Sequence, residues 1–204
     1  MYDGPRINAP TGRWKDQLCD CCDEGLCHPS LCCSWFCGYI ALGQIMSRMQ
    51  LTWLGGPGPL ERTRQTFFVI ILLAVARFIF GVSVTVLSDL YTTYTPIVYT
   101  DDTPDEYAAY TGGKTPPFIH YINWIGASIF GIWYLVALCR TRQTVRERYQ
   151  IPEYSCKGCE DCCCAFWCQC CVTAQMLRHT GEYEHYPGVC CSATGHPPGT
   201  PLVV

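Results

Sequence analysis

A chain of 204 residues allows one or two domains, and its 15% charged content lies well below the ~25% usual for soluble proteins. A net charge of −3 leaves no basic footprint for neutralising phosphates, so nucleic acid is excluded as a partner. The 18 cysteines then pose the main question: a disulfide scaffold, a metal site, or a set of free thiols.

The lead, residues 1–16, is polar, is broken by Pro5, Pro10 and Gly12, and lacks the apolar core of a signal peptide. Trp14 is the first residue expected to pack. Residues 19–37 hold seven cysteines (19, 21, 22, 27, 32, 33, 37) among Asp20, Asp23, Glu24 and His28, and read as loop. From Tyr39, Leu42, Ile45, Met46, Met49 and Trp53 recur at helical spacing. The resulting amphipathic helix has two possible fates, packing on a partner helix or lying in a lipid interface, and packing is the commoner. The Gly-Gly-Pro-Gly-Pro run at 55–59 ends this first arm, residues 1–66.

Residues 67–87, FFVIILLAVARFIFGVSVTVL, are long enough to cross ~30 Å of hydrocarbon. Fifteen of them are Phe, Ile, Leu or Val, contributing about −4.5 to −9 kcal/mol against about +3 for Arg77, so insertion wins. A second apolar run covers 118–139. The expected layout is a first span at 67–88, an acidic external loop at 89–117 and a second span at 118–139. Two buried helices of a soluble core are the competing reading. Arg62 and Arg64 precede the first span, and Arg140, Arg142, Arg146 and Arg148 follow the second. The loop between has Lys114 as its one basic residue, beside Asp101, Asp102, Asp105 and Glu106. The positive-inside rule therefore places both termini in the cytoplasm. There disulfides are rare and thiolates bind metal more readily.

The second arm, 140–186, repeats the first. Cys163-Cys164-Ala-Phe-Trp-Cys168 and then Gln175 match Cys32-Cys33-Ser-Trp-Phe-Cys37 and then Gln44 at one constant offset, without a gap. Cys156/Cys159 and Cys168/Cys171 are Cys-x2-Cys pairs whose thiolates suit adjacent corners of a tetrahedral zinc site. With Cys32, Cys33, Cys37, Cys163 and Cys164 they form the candidate ligand set for zinc or a similar soft divalent ion. Free buried thiols, S-acylated cysteines, or disulfides under an inverted topology remain alternatives. Cys139, Cys190 and Cys191 are acylation candidates. Arg77, with Asn123 or Ser128 as partner, marks a polar pathway within the spans, and Ala127 with Gly131 permits close helix approach. Gln44 and Gln175 are expected to satisfy buried backbone groups, and His179, Glu182, Glu184 and His185 to lie in a solvated loop. The tail, 187–204, is rich in Pro and Gly and is expected to be disordered. No motif positions a catalytic group, so an enzyme is not expected.

Three segments carry a family resemblance: Ile40-Ala-Leu-Gly-Gln44-Ile45, Arg142-x3-Arg146-x-Arg148-Tyr149, and Cys168-x2-Cys171-x3-Gln175-x2-Arg178. In this order they resemble the placenta-specific-eight family, which includes cornifelin, plant cadmium-resistance proteins and regulators of cell number. The family's Cys-Pro-Cys reads Cys37-Gly38-Tyr39 here, and His179 stands where the family has glutamate. The resemblance implies a membrane-associated Cys-rich protein linked to cadmium or zinc tolerance and transport, to calcium entry, or to control of cell number and growth. Two helices enclose no pore, so transport is expected to need a homo-oligomer, with the plasma membrane as its expected home and protein partners in a regulatory role. The expected fold is mainly α: a two-span helical hairpin with a small cytoplasmic Cys-rich module built from two repeated halves.

Overall fold

The computed structural model describes residues 9–18, 20, 25, 28–94 and 115–200. Cys19, Cys21, Cys22 and Cys27, the loop acids Asp101, Asp102, Asp105 and Glu106, and Lys114 lie outside the described residues. The described elements are helices: α1 (Pro29–Phe36), α2 (Gly38–Arg48), α3 (Leu60–Arg64), α4 (Thr66–Tyr94), α5 (Pro117–Arg148), α6 (Glu160–Trp167) and α7 (Gln169–Thr180). They divide between two compact units, Met1–Ala74 with Ile132–Val204, and Val75–Gly131.

The sequence repeat is a structural repeat. α1 and α6 are equivalent short helices, and each breaks at a cysteine, Cys37 or Cys168, before the longer α2 or α7 begins. Both cysteines leave the helical region in the same way (φ −130°, ψ 44° and φ −140°, ψ 63°). Each nevertheless donates its N–H to the carbonyl four residues back, Cys33 or Cys164, at 2.9 Å. Pro29 in the first turn and the His28 ring, which accepts from the Ser30 N–H at 3.3 Å, start α1.

α1 and α2 pack against α7, and α6 closes on α7. Leu42, Ile45 and Met46 of α2 and Met49 at its end are fully buried with Val172, Met176 and Leu177 of α7. Each contributes about 1.5–3 kcal/mol of burial, which settles the amphipathic helix as core. Trp53 departs from that stripe: α2 ends at Arg48, and Trp53 lies beyond it, 42% exposed. Gln50 (φ 52°) turns the chain left-handed, and the Leu51 N–H returns to the Met46 carbonyl at 2.8 Å.

α4 and α5 are long and apolar enough to cross a membrane, and their apolar windows are only 6% and 22% buried. In the unit Val75–Gly131, Phe78, Ile79, Trp124, Ile125 and Ile129 are exposed. Helices of a soluble core do not expose apolar surface on that scale. The close approach between the two falls at Gly126, whose missing side chain makes room for the Phe80 ring, and not at Ala127 and Gly131; around Gly131 there is open space.

Three expectations change. α4 continues to Tyr94, past the apolar run. α5 itself runs unbroken to Arg148 and carries the basic segment. Arg142 (2% exposed) and Arg146 turn into the module, toward Asp161 at 3.3 and 3.0 Å, and do not serve as surface charges. Finally, the tail is folded through Thr200 as far as it is described. The Gln44 amide donates to the carbonyls of Val189, Cys190 and Ser192 at 3.2, 2.7 and 3.2 Å, which the Pro and Gly content conceals.

Candidate functional site

The expected ligand set separates into distinct groups. In the second repeat, the Cys168–Gln169 joint and the first turn of α7 hold the sulfurs of Cys168, Cys170 and Cys171 within 4.8 Å of one another. The Cys168 and Cys171 sulfurs are joined, as are those of Cys156 and Cys159. Cys-x2-Cys spacing allows a disulfide when the pair is oxidised and two adjacent ligands of one ion when it is reduced. Cys162 and Cys163 are exposed. Cys164 is half-buried, and burial raises its pKa while the Arg142 guanidinium pulls it down.

The first repeat does not complete that set. Although the halves face each other, Cys32, Cys33 and Cys37 form no group with Cys168 and Cys171 among the described residues. They sit instead at a cleft of about 280 Å³ between α1, the start of α2 and the tail. The Cys33 sulfur lies 3.8 Å from that of Cys190, and Cys37 hydrogen-bonds the same Cys190, with Cys191 beside it. Burial, then the Cys190 thiol, pushes the Cys33 pKa up to about 12 and raises that of Cys37. Cys190 thereby moves from acylation candidate to member of a thiol cluster. Sequence reasoning missed it because the tail that carries it looks unstructured. Cys139 is 7% exposed, with Cys162 beside it; Cys191 is exposed.

Three buried arginines and the matched glutamines hold these groups in place. Arg48, 1% exposed, reaches no carboxylate among the described residues: it donates to Leu177 O at 3.0 Å, Thr180 Oγ1 at 3.4 Å, the Tyr183 hydroxyl at 3.0 Å and Thr194 O. Three of those acceptors belong to the end of α7 and the chain just after it, where the helix dipole favours a cation. Across the repeat, Gln175 accepts from Arg142 at 2.6 Å and donates to Asp16 O at 2.8 Å, and Arg178 pairs with the Asp16 carboxylate at 2.7 Å. The Trp14 ring lies 4.6 Å from the Arg142 guanidinium. His179 lies inside α7, 1% exposed, not in a solvated loop. It accepts the Lys15 N–H at 3.2 Å, and burial lowers its pKa to about 4. Glu182, Glu184 and His185 do gather at the surface.

In the spans, Arg77 lies back along its own helix toward Gly81, 3.1 Å from where a β-carbon would sit. Among the described residues no hydrogen bond joins it to Asn123 or Ser128.

A repeated pair of helix–cysteine–helix units on the bases of an apolar hairpin, with thiols gathered at the joints, defines a Cys-rich helical module of an uncommon kind. The chain belongs to the PLAC8 family, whose model matches residues 14–179. No curated protein and no solved structure matches it. The matched residues include both repeats and stop short of Cys190.

Proposed function

We propose that this chain is a two-span membrane protein, with both termini cytoplasmic, that binds and handles soft divalent metals such as zinc or cadmium through its thiol clusters. The observation that carries the reading is the Cys33–Cys190 separation of 3.8 Å, with Cys37 lining the same cleft. Tetrahedral zinc with sulfur ligands at ~2.3 Å requires sulfurs about 3.8 Å apart, so two corners are set before an ion arrives. Arg62, Arg64 and Arg140 stay exposed at the inner ends of the spans, which supports the orientation even with Arg142 and Arg146 withdrawn. Two helices enclose no path, so movement of metal requires several copies, as a homo-oligomer in the plasma membrane.

Cadmium titration of the purified, reduced full-length protein, followed by thiolate-to-cadmium charge-transfer absorption, tests the site. Cys33→Ser and Cys190→Ser each lower the bound stoichiometry; unchanged stoichiometry in both variants overturns it. A second reading, a membrane-anchored interaction protein regulating growth with structural metal, is favoured by Arg77 lying along its own helix. Reconstituted vesicles separate the two. Cadmium or zinc flux that depends on Cys33 supports handling, and tight binding without flux supports the anchor.

A further inference from the structure

The thiol clusters leave unexplained the aromatic pair that precedes each joint. Trp35 and Phe36 end α1 at 68% and 81% exposed, and Phe166 and Trp167 end α6 at 60% and 82%. One exposed aromatic residue is ordinary. Four of them, at equivalent places in a repeat, form a paired feature that water does not favour.

Their position says what covers them. The joint after each pair is held against α5 inside its apolar run. A β-carbon on Gly38 would lie 2.9 Å from the Tyr134 hydroxyl, and the Tyr39 ring is 4.9 Å from that of Tyr134 and 5.7 Å from that of Trp133. From the other repeat, Thr173 of α7 hydrogen-bonds the same Tyr134. Tyr134 precedes Arg140, the first charge after the apolar run, by about 9 Å of helix at ~1.5 Å per residue. On either side of it Ile132 and Val136 are 64% and 42% exposed, the surface that faces lipid if the helix spans. The first span gives the same level: a β-carbon on Gly43 of α2 would lie 3.1 Å from Ile70 and 3.2 Å from Phe67, in the opening turns of α4. Both joints thus sit at the depth of the spans' last turns, not in the water beyond Arg140.

We propose that Trp35–Phe36 and Phe166–Trp167 are twin membrane wedges, seating the repeat module in the headgroup–acyl boundary of the leaflet from which the spans emerge. Tryptophan and phenylalanine suit that boundary, where an apolar ring meets lipid and the indole N–H meets headgroups. The docking surface is continuous with the lipid-facing sides of α4 and α5, so its partner is the bilayer itself. The module then lies partly in the membrane and does not hang below it.

The proposal rests on the two helices spanning the membrane, and the test separates the two failures. The full chain is labelled with 5-fluorotryptophan and placed in lipid nanodiscs. Trp35→Phe and Trp167→Phe assign the two fluorine resonances while keeping a ring in place, and Trp124→Phe assigns a mid-span control. Nitroxide carried near the headgroup end of the lipid chains broadens the Trp35 and Trp167 resonances, and an aqueous gadolinium chelate leaves them sharp. If the chelate broadens these two while Trp124 stays protected, the wedges are wrong and the spans stand. If the chelate also broadens Trp124, the spans fail and the proposal with them. If neither reagent reaches Trp35 and Trp167, protein covers them, whether a second copy or another partner, and the lipid assignment is overturned.

Discussion

Replacing Gly195 by alanine should release the tail from α2. Gly195 sits at φ +73°, and its β-carbon would run into Arg48 Nη2 and come within 2.9 Å of Gln44 Oε1. The left-handed backbone costs an alanine about 1–2 kcal/mol. The clash adds to that because Arg48 cannot swing away: it is 1% exposed and tied to Leu177 O, Thr180, Tyr183 and Thr194 O. Losing one hydrogen bond to a buried charge costs about 1.5–3 kcal/mol. Together the two costs come to ~3 kcal/mol, and at ~1.4 kcal/mol per tenfold the tail's opening constant rises about a hundredfold. Native-state hydrogen exchange reads this at the Val189 amide, which donates to the Gly195 carbonyl at 2.9 Å. Gly199→Ala is the control: it shares the positive φ (+88°) but meets nothing within 4 Å. Equal protection of Val189 in the Gly195→Ala and parent proteins would refute the account of how the tail, and Cys190 with it, is held.

Acid should loosen the module. Burial lowers the pKa of His179 and His196 to about 4 from 6.5, so their contribution, about 3 kcal/mol each at most, is fully present above pH 6.5 and is lost as pH falls toward 4. The melting temperature should be flat from pH 8 to 7 and drop below 6, with a smaller drop in His179→Gln; a flat profile to pH 4.5 contradicts the burial. Asp161→Asn leaves Arg142 buried without its carboxylate and should cost about 3–5 kcal/mol in chemical denaturation; a loss under 1 kcal/mol would mean that Gln175 alone suffices. Because the Cys33 thiol is held at about 12 and Cys37 is raised, metal must displace protons there. Cadmium affinity should rise about tenfold per pH unit for each proton released, and a pH-independent affinity would point away from this cleft.

What the amino-acid order made legible was periodic or repeated. The hairpin follows from two uninterrupted apolar runs, and the two halves follow from matched cysteines, aromatics and glutamines. The helix ends at Cys37 and Cys168 make that match physical, since the same residue breaks the same helix twice. What stayed hidden depends on partners distant in the chain. Arg142 reads as a topology charge because nothing nearby in sequence shows that Asp161 and Gln175 will close over it. The tail reads as disordered because its order comes from Gln44 and Arg48, more than a hundred residues away. Cys190 was therefore grouped with lipid-modified cysteines, although α1 brings Cys33 to it.

The two glutamines show what the repeat does for the fold. Gln44 and Gln175 occupy the same place in their helices, 2% exposed in both cases. Each turns its amide outward from the helix pair onto the backbone of a chain end: Gln44 onto Val189, Cys190 and Ser192, Gln175 onto Asp16. A guanidinium reinforces each clamp, Arg48 through Thr194 O and Arg178 through the Asp16 carboxylate. A buried amide left without partners costs ~1–3 kcal/mol, so each half is stable only with its strap attached. The joint cysteines lie beside those straps, Cys33 and Cys37 against Cys190 in one half, Cys164 in the polar cleft with Trp14 and Asp16 in the other. The same contact that completes the fold therefore decides which thiols meet: releasing the tail from Gln44 carries Cys190 away from Cys33.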